Sequence, residues 1–78
     1  MTLDKHKLQG IPPIRQKTLP PSEFESLLAQ AGYNYLGSGS AQMGRFKLWW
    51  GHPSYPRIEA IYSSDKQRVI TAYHPSAD

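Results

Sequence analysis

The sequence contains no cysteine and no long apolar run. Without cysteine, neither disulfides nor a thiolate metal site can compensate for the small core of a 78-residue chain, which must be stabilised by packing. No stretch approaches the roughly 18 apolar residues that a membrane span requires, and the first residues show no signal-peptide pattern. We therefore expect a soluble, cytoplasmic protein without a membrane partner.

Metal-binding and nucleotide-binding motifs are also missing. His6, His52 and His74 are not spaced from one another or from a carboxylate as metal ligands would be, so we expect no metal and no other cofactor. The glycines of "GSGSAQMG" (37–44) do not match phosphate-binding loops and lead into a strand pattern. This segment is predicted to be a flexible connection.

Positive charge is in moderate excess. Lys and Arg number 9 and Asp and Glu number 6, which gives a net charge of +3. This excess favours a polyanionic partner such as a nucleic acid, because cations neutralise phosphates, although many enzymes without such a partner reach the same value.

The first 21 residues form a segment of their own. They contain two proline pairs and several basic residues but no sustained hydrophobic period. This pattern predicts an extended, proline-rich basic arm (1–21) that precedes a single α+β domain (22–78). The side chains expected to attach the arm to the core are Leu8, Ile11 and Ile14. The alternative is a mobile tail.

One amphipathic helix is predicted over residues 23–31. Ser22 and Glu25 have the spacing of a capping box, in which the serine caps the helix and the glutamate reaches back to the cap. Gly32 is expected to end the helix, because glycine tolerates the left-handed conformation. The apolar face has helical spacing and comprises Phe24, Leu27, Leu28 and Ala31.

After Gly32 the hydrophobic pattern changes from helical to alternating. Strands are predicted at residues 33–36, 45–50, 57–62 and 67–74, with a hairpin turn at "SSDK". The helix must cover one face of this sheet. The predicted fold class is therefore α+β, with one amphipathic helix packed on a four-stranded antiparallel sheet in two layers.

Alternation divides the strand residues between a core face and an outer face. Of the two neighbouring tryptophans, Trp50 is predicted to anchor the core and Trp49 to be available on the outer face. The predicted core face comprises Phe46, Leu48, Trp50, Ile58, Ala60, Tyr62, Val69, Thr71 and Tyr73. The predicted outer face comprises Arg45, Lys47, Trp49, Arg57, Glu59, Ile61, Arg68, Ile70, Ala72 and His74.

The predicted outer face combines cations with an indole, which is typical of surfaces that bind single-stranded RNA. Cations neutralise phosphates, while an exposed tryptophan stacks on an unpaired base. The nucleic-acid-binding residues expected here are Arg45, Lys47, Trp49 and Arg68. The alternative is that the arm or a second subunit covers this face.

Acid–base catalysis on this face would require a positioned proton donor and acceptor beside cations that bind the phosphate. Glu59 and His74 are the candidate proton-transfer groups. Arg57 or Arg68 would supply the cation, and His52 is a second candidate at the end of the sheet. The alternative is that both histidines are structural residues of a turn and a strand end.

The last hairpin, "PRIEAIYSSDKQRVITAYHPSAD" (56–78), resembles the C-terminal hairpin of small toxin-like domains of the barnase, colicin and RelE group. The resemblance implies a metal-independent ribonuclease with a helix packed on a curved antiparallel sheet. The helix followed by "AGYNYLGSGS" (31–40) also resembles the start of HicA-type mRNA interferases. Those interferases carry a histidine directly after Gly-Ser, whereas here Ala41 follows Ser40.

We therefore expect a small soluble RNA-binding domain, with metal-independent ribonuclease activity as the further implication of the resemblance. The competing interpretation is a non-catalytic protein-interaction module, either a homodimer or an inhibitor. Such a module would bury Trp49 and the proline loops "GHPSYP" (51–56) and "IPPI" (11–14) against a protein. Strong salt dependence of RNA binding favours the first interpretation, and salt-insensitive self-association favours the second.

Overall fold

The structure of the protein, a computed structural model, describes residues 2–75. The sheet is antiparallel and its strands follow chain order: β1 (Asn34–Ser40), β2 (Phe46–Gly51), β3 (Ile58–Tyr62) and β4 (Val69–Tyr73). Helix α1 (Pro21–Ala31) packs on it, so the predicted α+β fold with one helix on a four-stranded sheet is confirmed. Within residues 2–75, no helix has the length and apolarity needed to cross a membrane.

Helix α1 begins with proline rather than with the predicted capping box. Pro21 occupies the first helical turn, where a missing N–H costs no hydrogen bond. Pro20 supplies no side-chain cap and Ser22 lies inside the helix, so the predicted capping box is wrong. The Glu25 carboxylate instead accepts a hydrogen bond from the Tyr62 hydroxyl at 2.8 Å, which joins the helix to β3.

The end and the apolar face of α1 agree with the prediction. Gly32 ends the helix in the left-handed conformation, with φ of 94°. Phe24 and Leu28 are fully buried. Leu27 and Ala31 are partly buried against the same core. The helix therefore covers one face of the sheet with the side chains that its spacing predicts.

Strand β1 is longer than predicted. It includes residues 37–40 of the "GSGSAQMG" segment, so the prediction of a flexible connection is wrong for that part. The chain reverses over residues 41–45, where Met43 and Gly44 have left-handed φ values of 61° and 74°. The turn is closed by the Ala41 N–H, which donates to the Arg45 carbonyl at 2.8 Å.

A β-bulge interrupts the hairpin of β3 and β4. Next to the turn, Tyr62 lies opposite Val69, and both face the core as predicted. The register then shifts by one residue, so that Ile70 has no direct partner on β3. Because side chains alternate between faces, one extra residue on β4 exchanges the faces of the residues that follow it.

The predicted faces for the end of β4 are consequently wrong. Ala72 lies opposite Ala60 on the core face, whereas alternation alone predicts it on the outer face. Tyr73 lies opposite Glu59 and shares its outer face, and Thr71 faces the same way. The bulge therefore brings a tyrosine hydroxyl to the side of the sheet that carries the cations.

The N-terminal arm packs against the sheet and the helix. Leu3, Leu8 and Leu19 are buried in the same core as the helix residues. Leu19 also pairs with Val69 through two backbone hydrogen bonds of 2.8 and 3.4 Å, which covers part of the β4 edge. The predicted anchors of the arm all contact the core: Leu8, Ile11 and Ile14.

The beginning of the arm lies beside β4 on the outer face. It forms a short 3₁₀ turn (Leu3–Lys5). The Thr71 hydroxyl donates to the Thr2 carbonyl at 3.1 Å, and the rings of His6 and Tyr73 are 5.8 Å apart. The arm therefore covers the β4 side of the outer face, as one of the alternatives for this face proposes.

Candidate functional site

An open groove remains on the outer face next to β2. Its volume is about 530 Å³. The lining comes from the loop between β1 and β2 and from the outer face of the next three strands. The lining residues are Ser40, Ala41, Gln42, Met43, Arg45, Lys47, Ile61 and Tyr73. We call this feature the outer-face groove.

Glu59 lies beside the outer-face groove, is bonded to Tyr73 of its lining and to the neighbouring Trp49, and is itself only 9% exposed. Its carboxylate accepts hydrogen bonds from the Trp49 indole N–H (2.8 Å) and from the Tyr73 hydroxyl. The Lys47 ammonium lies 3.9 Å from the same carboxylate. A single polar cluster therefore joins β2, β3 and β4 on the outer face.

Hydrogen bonding keeps the Glu59 carboxylate ionised. Burial by itself raises the pKa of Glu59, but hydrogen bonds from Tyr73 and Trp49, helped by nearby cations, outweigh burial and hold the pKa below its usual range. The hydrogen bond from Tyr73 to Glu59, together with burial, raises the pKa of the Tyr73 hydroxyl to about 12. At neutral pH, Tyr73 is therefore a donor to an ionised acceptor, and Glu59 is a weak proton acceptor.

Trp49 lies across the outer face because β1 has glycines there. Gly37 lies opposite Trp49, and Gly39 lies opposite Lys47. A Cβ atom added at Gly39 would be 3.0 Å from Cη2 of Trp49, so the indole occupies the space that a side chain would take. Because its N–H is bonded to Glu59, Trp49 is fixed between β1 and β3 and only partly exposed.

The outer-face groove carries an excess of positive charge. Within residues 2–75, the only ion pair joins Lys47 to Glu59. Arg45 therefore lines the groove without an acidic partner in the described part of the chain. A guanidinium beside an ammonium is a suitable binding site for a phosphate or carboxylate group.

His74 is held by backbone groups at the end of the sheet. Its Nε2 accepts a hydrogen bond from the Gln9 N–H at 3.0 Å. Its Nδ1 lies 3.1 Å from the Pro56 carbonyl and 3.2 Å from that of Arg57. The ring is thus the neutral tautomer with its hydrogen on Nδ1. The bulge turns Tyr73 to the outer face, and alternation then places the next residue, His74, away from that face. The predicted outer-face position of His74 is therefore wrong.

His52 also uses both ring nitrogens. Its Nε2 lies 2.8 Å from the Ala31 carbonyl, and its Nδ1 accepts from the Ser54 N–H at 2.9 Å. Its ring lies 4.8 Å from the Tyr33 ring and 4.3 Å from the Tyr55 ring. This cluster fastens the loop after β2 to the end of α1, at the opposite end of β2 from the loop that lines the groove.

The predicted site residues are only partly brought together. Arg57 precedes β3 and Arg68 precedes β4, so the two lie at opposite ends of that hairpin. The Arg68 N–H donates to the Ser63 hydroxyl at 3.1 Å within the turn. The residues that meet at or beside the groove are Arg45, Lys47, Trp49 and Glu59.

Sequence reasoning misses two rings beside the outer-face groove. Tyr73 is predicted in the core, because Ile70 resembles its strand neighbours and nothing in the pattern marks it as a bulge. His6 belongs to the predicted arm and is not assigned to any site, yet its ring lies against Tyr73. Its place depends on the burial of Leu3 near β4, a contact that spans almost the whole chain and has no local signal.

The two tryptophans provide a test of the Glu59 cluster. Trp49→Phe removes a hydrogen bond to a charged group and is expected to cost about 1.5–3 kcal/mol. Trp50→Phe is expected to cost less, although Trp50 is only 8% exposed. Its indole N–H is buried without a partner among residues 2–75, and an unsatisfied donor itself costs about 1–3 kcal/mol. Urea unfolding followed by circular dichroism measures the free energy of unfolding of both variants. A larger cost for Trp50→Phe than for Trp49→Phe would contradict the hydrogen bond assigned between Trp49 and Glu59.

Comparisons with known proteins give no family assignment. No protein-family model matches the chain, and no curated protein or solved structure is significantly similar to it. The resemblance of the last hairpin to toxin-like ribonucleases therefore stays a prediction, and a function has to be argued from the geometry of the outer-face groove.

Proposed function

We propose that the outer-face groove binds single-stranded RNA. The observation that carries the proposal is the Arg45 guanidinium, which lines an open groove beside Lys47 and has no acidic partner among the described residues. A guanidinium donates two parallel hydrogen bonds to phosphate oxygens, and cations at alternate positions can contact neighbouring phosphates. The net charge of +3 favours the same partner through release of counterions.

The dimensions of the groove favour an unpaired strand over a duplex. A volume of about 530 Å³ lies within the range of pockets that enclose small ligands. The partly exposed Tyr73 ring supplies aromatic surface for an unstacked base. A duplex would need a broad open face, whereas the arm covers the β4 side at Thr71. We therefore place one or a few nucleotides in the groove.

We propose binding without cleavage. The ring nitrogens of His52 and His74 contact backbone groups, and the Glu59 carboxylate already accepts two hydrogen bonds. A general base must reach the proton that it removes, so these groups are poorly placed to start RNA hydrolysis. In this proposal, the catalytic implication of the hairpin resemblance does not extend to the present chain.

Arg45→Ala is expected to weaken binding of a fluorescein-labelled uridine oligonucleotide by about tenfold at low salt. Loss of one phosphate contact should also reduce the slope of log Kd against log salt by about 0.7. Fluorescence anisotropy measures both quantities, and the oligonucleotide recovered from the titration is expected to be intact.

Arg15→Ala is the matched control for the loss of one positive charge. Its neighbours Ile14 and Gln16 lie against α1, in the layer opposite the outer face. Binding should change by less than about twofold. The proposal is wrong if the wild-type protein does not bind the oligonucleotide at low salt, or if both arginine variants lose affinity equally.

A further inference from the structure

The two edges of the sheet are protected differently. At the β4 edge, Leu19 pairs with Val69 and the arm packs alongside. At the opposite edge, β1 pairs with β2 alone, and no residue in the described range 2–75 pairs with its outer side. An open edge presents unpaired N–H and C=O groups that can pair with another chain.

Strand β1 has none of the charges or prolines that commonly protect an edge. Between Glu25 and Arg45 the sequence contains no charged residue and no proline. The chain as a whole carries a net charge of +3, which opposes association of two copies through cationic parts of the surface. The β1 edge is the part of the sheet where two copies can meet without like charges facing each other.

The backbone groups of residues 37–40 have a defined orientation. The Ala41 N–H donates to the Arg45 carbonyl, so these two residues occupy the position of a hydrogen-bonded pair in the ladder, although the Arg45 N–H donates to the Gln42 carbonyl instead. Such pairs alternate with pairs whose backbone groups point away from the partner strand. Gly39 therefore directs its N–H and C=O to β2, whereas Ser38 and Ser40 direct theirs to the open side.

Large apolar side chains are exposed at both ends of this segment. Tyr35 and Leu36 are 53% and 59% exposed at one end, and Met43 is 81% exposed at the other. Among the described residues, only Tyr55 is a further exposed side chain of this kind. Clustered exposed apolar residues mark a contact surface more often than isolated ones do.

We propose that the β1 edge is a homodimer interface, in which β1 of a second copy pairs with it in antiparallel orientation about a two-fold axis at Gly39. This register places Ser38 of each copy opposite Ser40 of the other, so that about four backbone hydrogen bonds form. Glycine at the axis allows the strands to approach closely.

The proposed dimer goes beyond RNA binding and does not depend on it. A two-fold axis between antiparallel strands of one sheet is perpendicular to that sheet, so both copies keep their outer faces on the same side. Two outer-face grooves would then lie on one continuous sheet surface. If the proposed RNA binding is correct, a strand long enough to reach both grooves should bind more tightly than a short one.

Sedimentation velocity without RNA tests the dimer directly. The paired segment is short, so we expect a Kd on the order of 100 µM and a rise in mass from 8.8 kDa towards twice that value as concentration increases. The double variants Ser38→Lys/Ser40→Lys and Ser38→Glu/Ser40→Glu each place like charges opposite each other and should weaken association by at least about tenfold. An equimolar mixture of the two should associate again, because lysine then faces glutamate.

The control variant Ser26→Lys/Gln30→Lys adds the same charge on the exposed side of α1 and should dimerise like the wild type. Circular dichroism verifies that every variant is folded. A wild-type protein that remains monomeric up to about 1 mM overturns the proposal. So does association that the Ser38→Lys/Ser40→Lys variant retains in full, because the copies would then meet elsewhere. Neither outcome affects the anisotropy test of RNA binding.

Discussion

Leu3→Ala is expected to lower the free energy of unfolding by about 2–5 kcal/mol, which is a large part of the stability of a domain of this size. Leu3 is 1% exposed and belongs to the same core cluster as Phe24 and Leu28. Shortening its side chain leaves a cavity under the 3₁₀ turn and loosens the contact of that turn with β4. Urea unfolding followed by tryptophan fluorescence measures the change.

Lys5→Ala is the control for Leu3→Ala, because Lys5 lies in the same turn and is exposed. Its stability should stay within about 0.5 kcal/mol of the wild type. If Leu3→Ala were equally mild, the arm would be an appendage and the outer face would be open across β4. In that case the outer-face groove would extend across β4.

Glu59→Gln is expected to cost about 1.5–3 kcal/mol at neutral pH, because hydrogen bonds to a charged acceptor are stronger than those to an amide. The amide would leave Lys47 without its carboxylate and would weaken the bonds from Trp49 and Tyr73. These contacts join β2, β3 and β4, so their loss weakens the sheet as a whole. The free energy of unfolding from urea titrations gives the cost.

The cost of Glu59→Gln should depend on pH in a defined direction. The pKa of Glu59 is lowered in the folded state, so ionised Glu59 stabilises the fold above its unfolded pKa, near 4.5. This stabilisation is lost as the pH falls through the lower, folded value. The difference between wild type and Glu59→Gln should therefore be full at pH 7 and shrink below about pH 4.

Glu23→Gln removes one negative charge from the exposed first turn of α1 and serves as the control for Glu59→Gln. It should cost only a few tenths of a kcal/mol, from the lost interaction with the helix dipole. A Glu59→Gln cost that persists unchanged into acid would mean that side-chain shape, rather than the ionised carboxylate, stabilises the cluster.

Local patterns were sufficient to predict the elements of this fold. The apolar spacing of Phe24 and Leu28 and the glycine at position 32 define the helix and its end. Alternation in β2 places Lys47 and Trp49 together on the outer face. These are two of the four predicted site residues that meet at or beside the groove. In each of these cases, neighbours within a few residues determine the conformation.

Features that depend on distant contacts could not be predicted in this way. The bulge at Ile70 depends on how β4 fits against β3 and reverses the face of Tyr73. The helix begins at Pro21, so the capping box does not form, and Glu25 instead accepts a hydrogen bond from Tyr62, 37 residues along the chain. The role of His74 depends on Gln9, a residue of the arm that is 65 positions away. Sequence spacing carries no information about such partners.

The closure of the arm over β4 has a consequence for folding during synthesis. The hydrogen bond from Thr71 to Thr2 spans 69 residues, and the pairing of Leu19 with Val69 closes a shorter loop within it. On the ribosome, Leu3 and Leu8 therefore have no completed surface to pack against until β4 has emerged. These leucines stay exposed until β4 has been synthesised, and docking of residues 3–8 is expected to be the slow step of folding because the loop that it closes is so long.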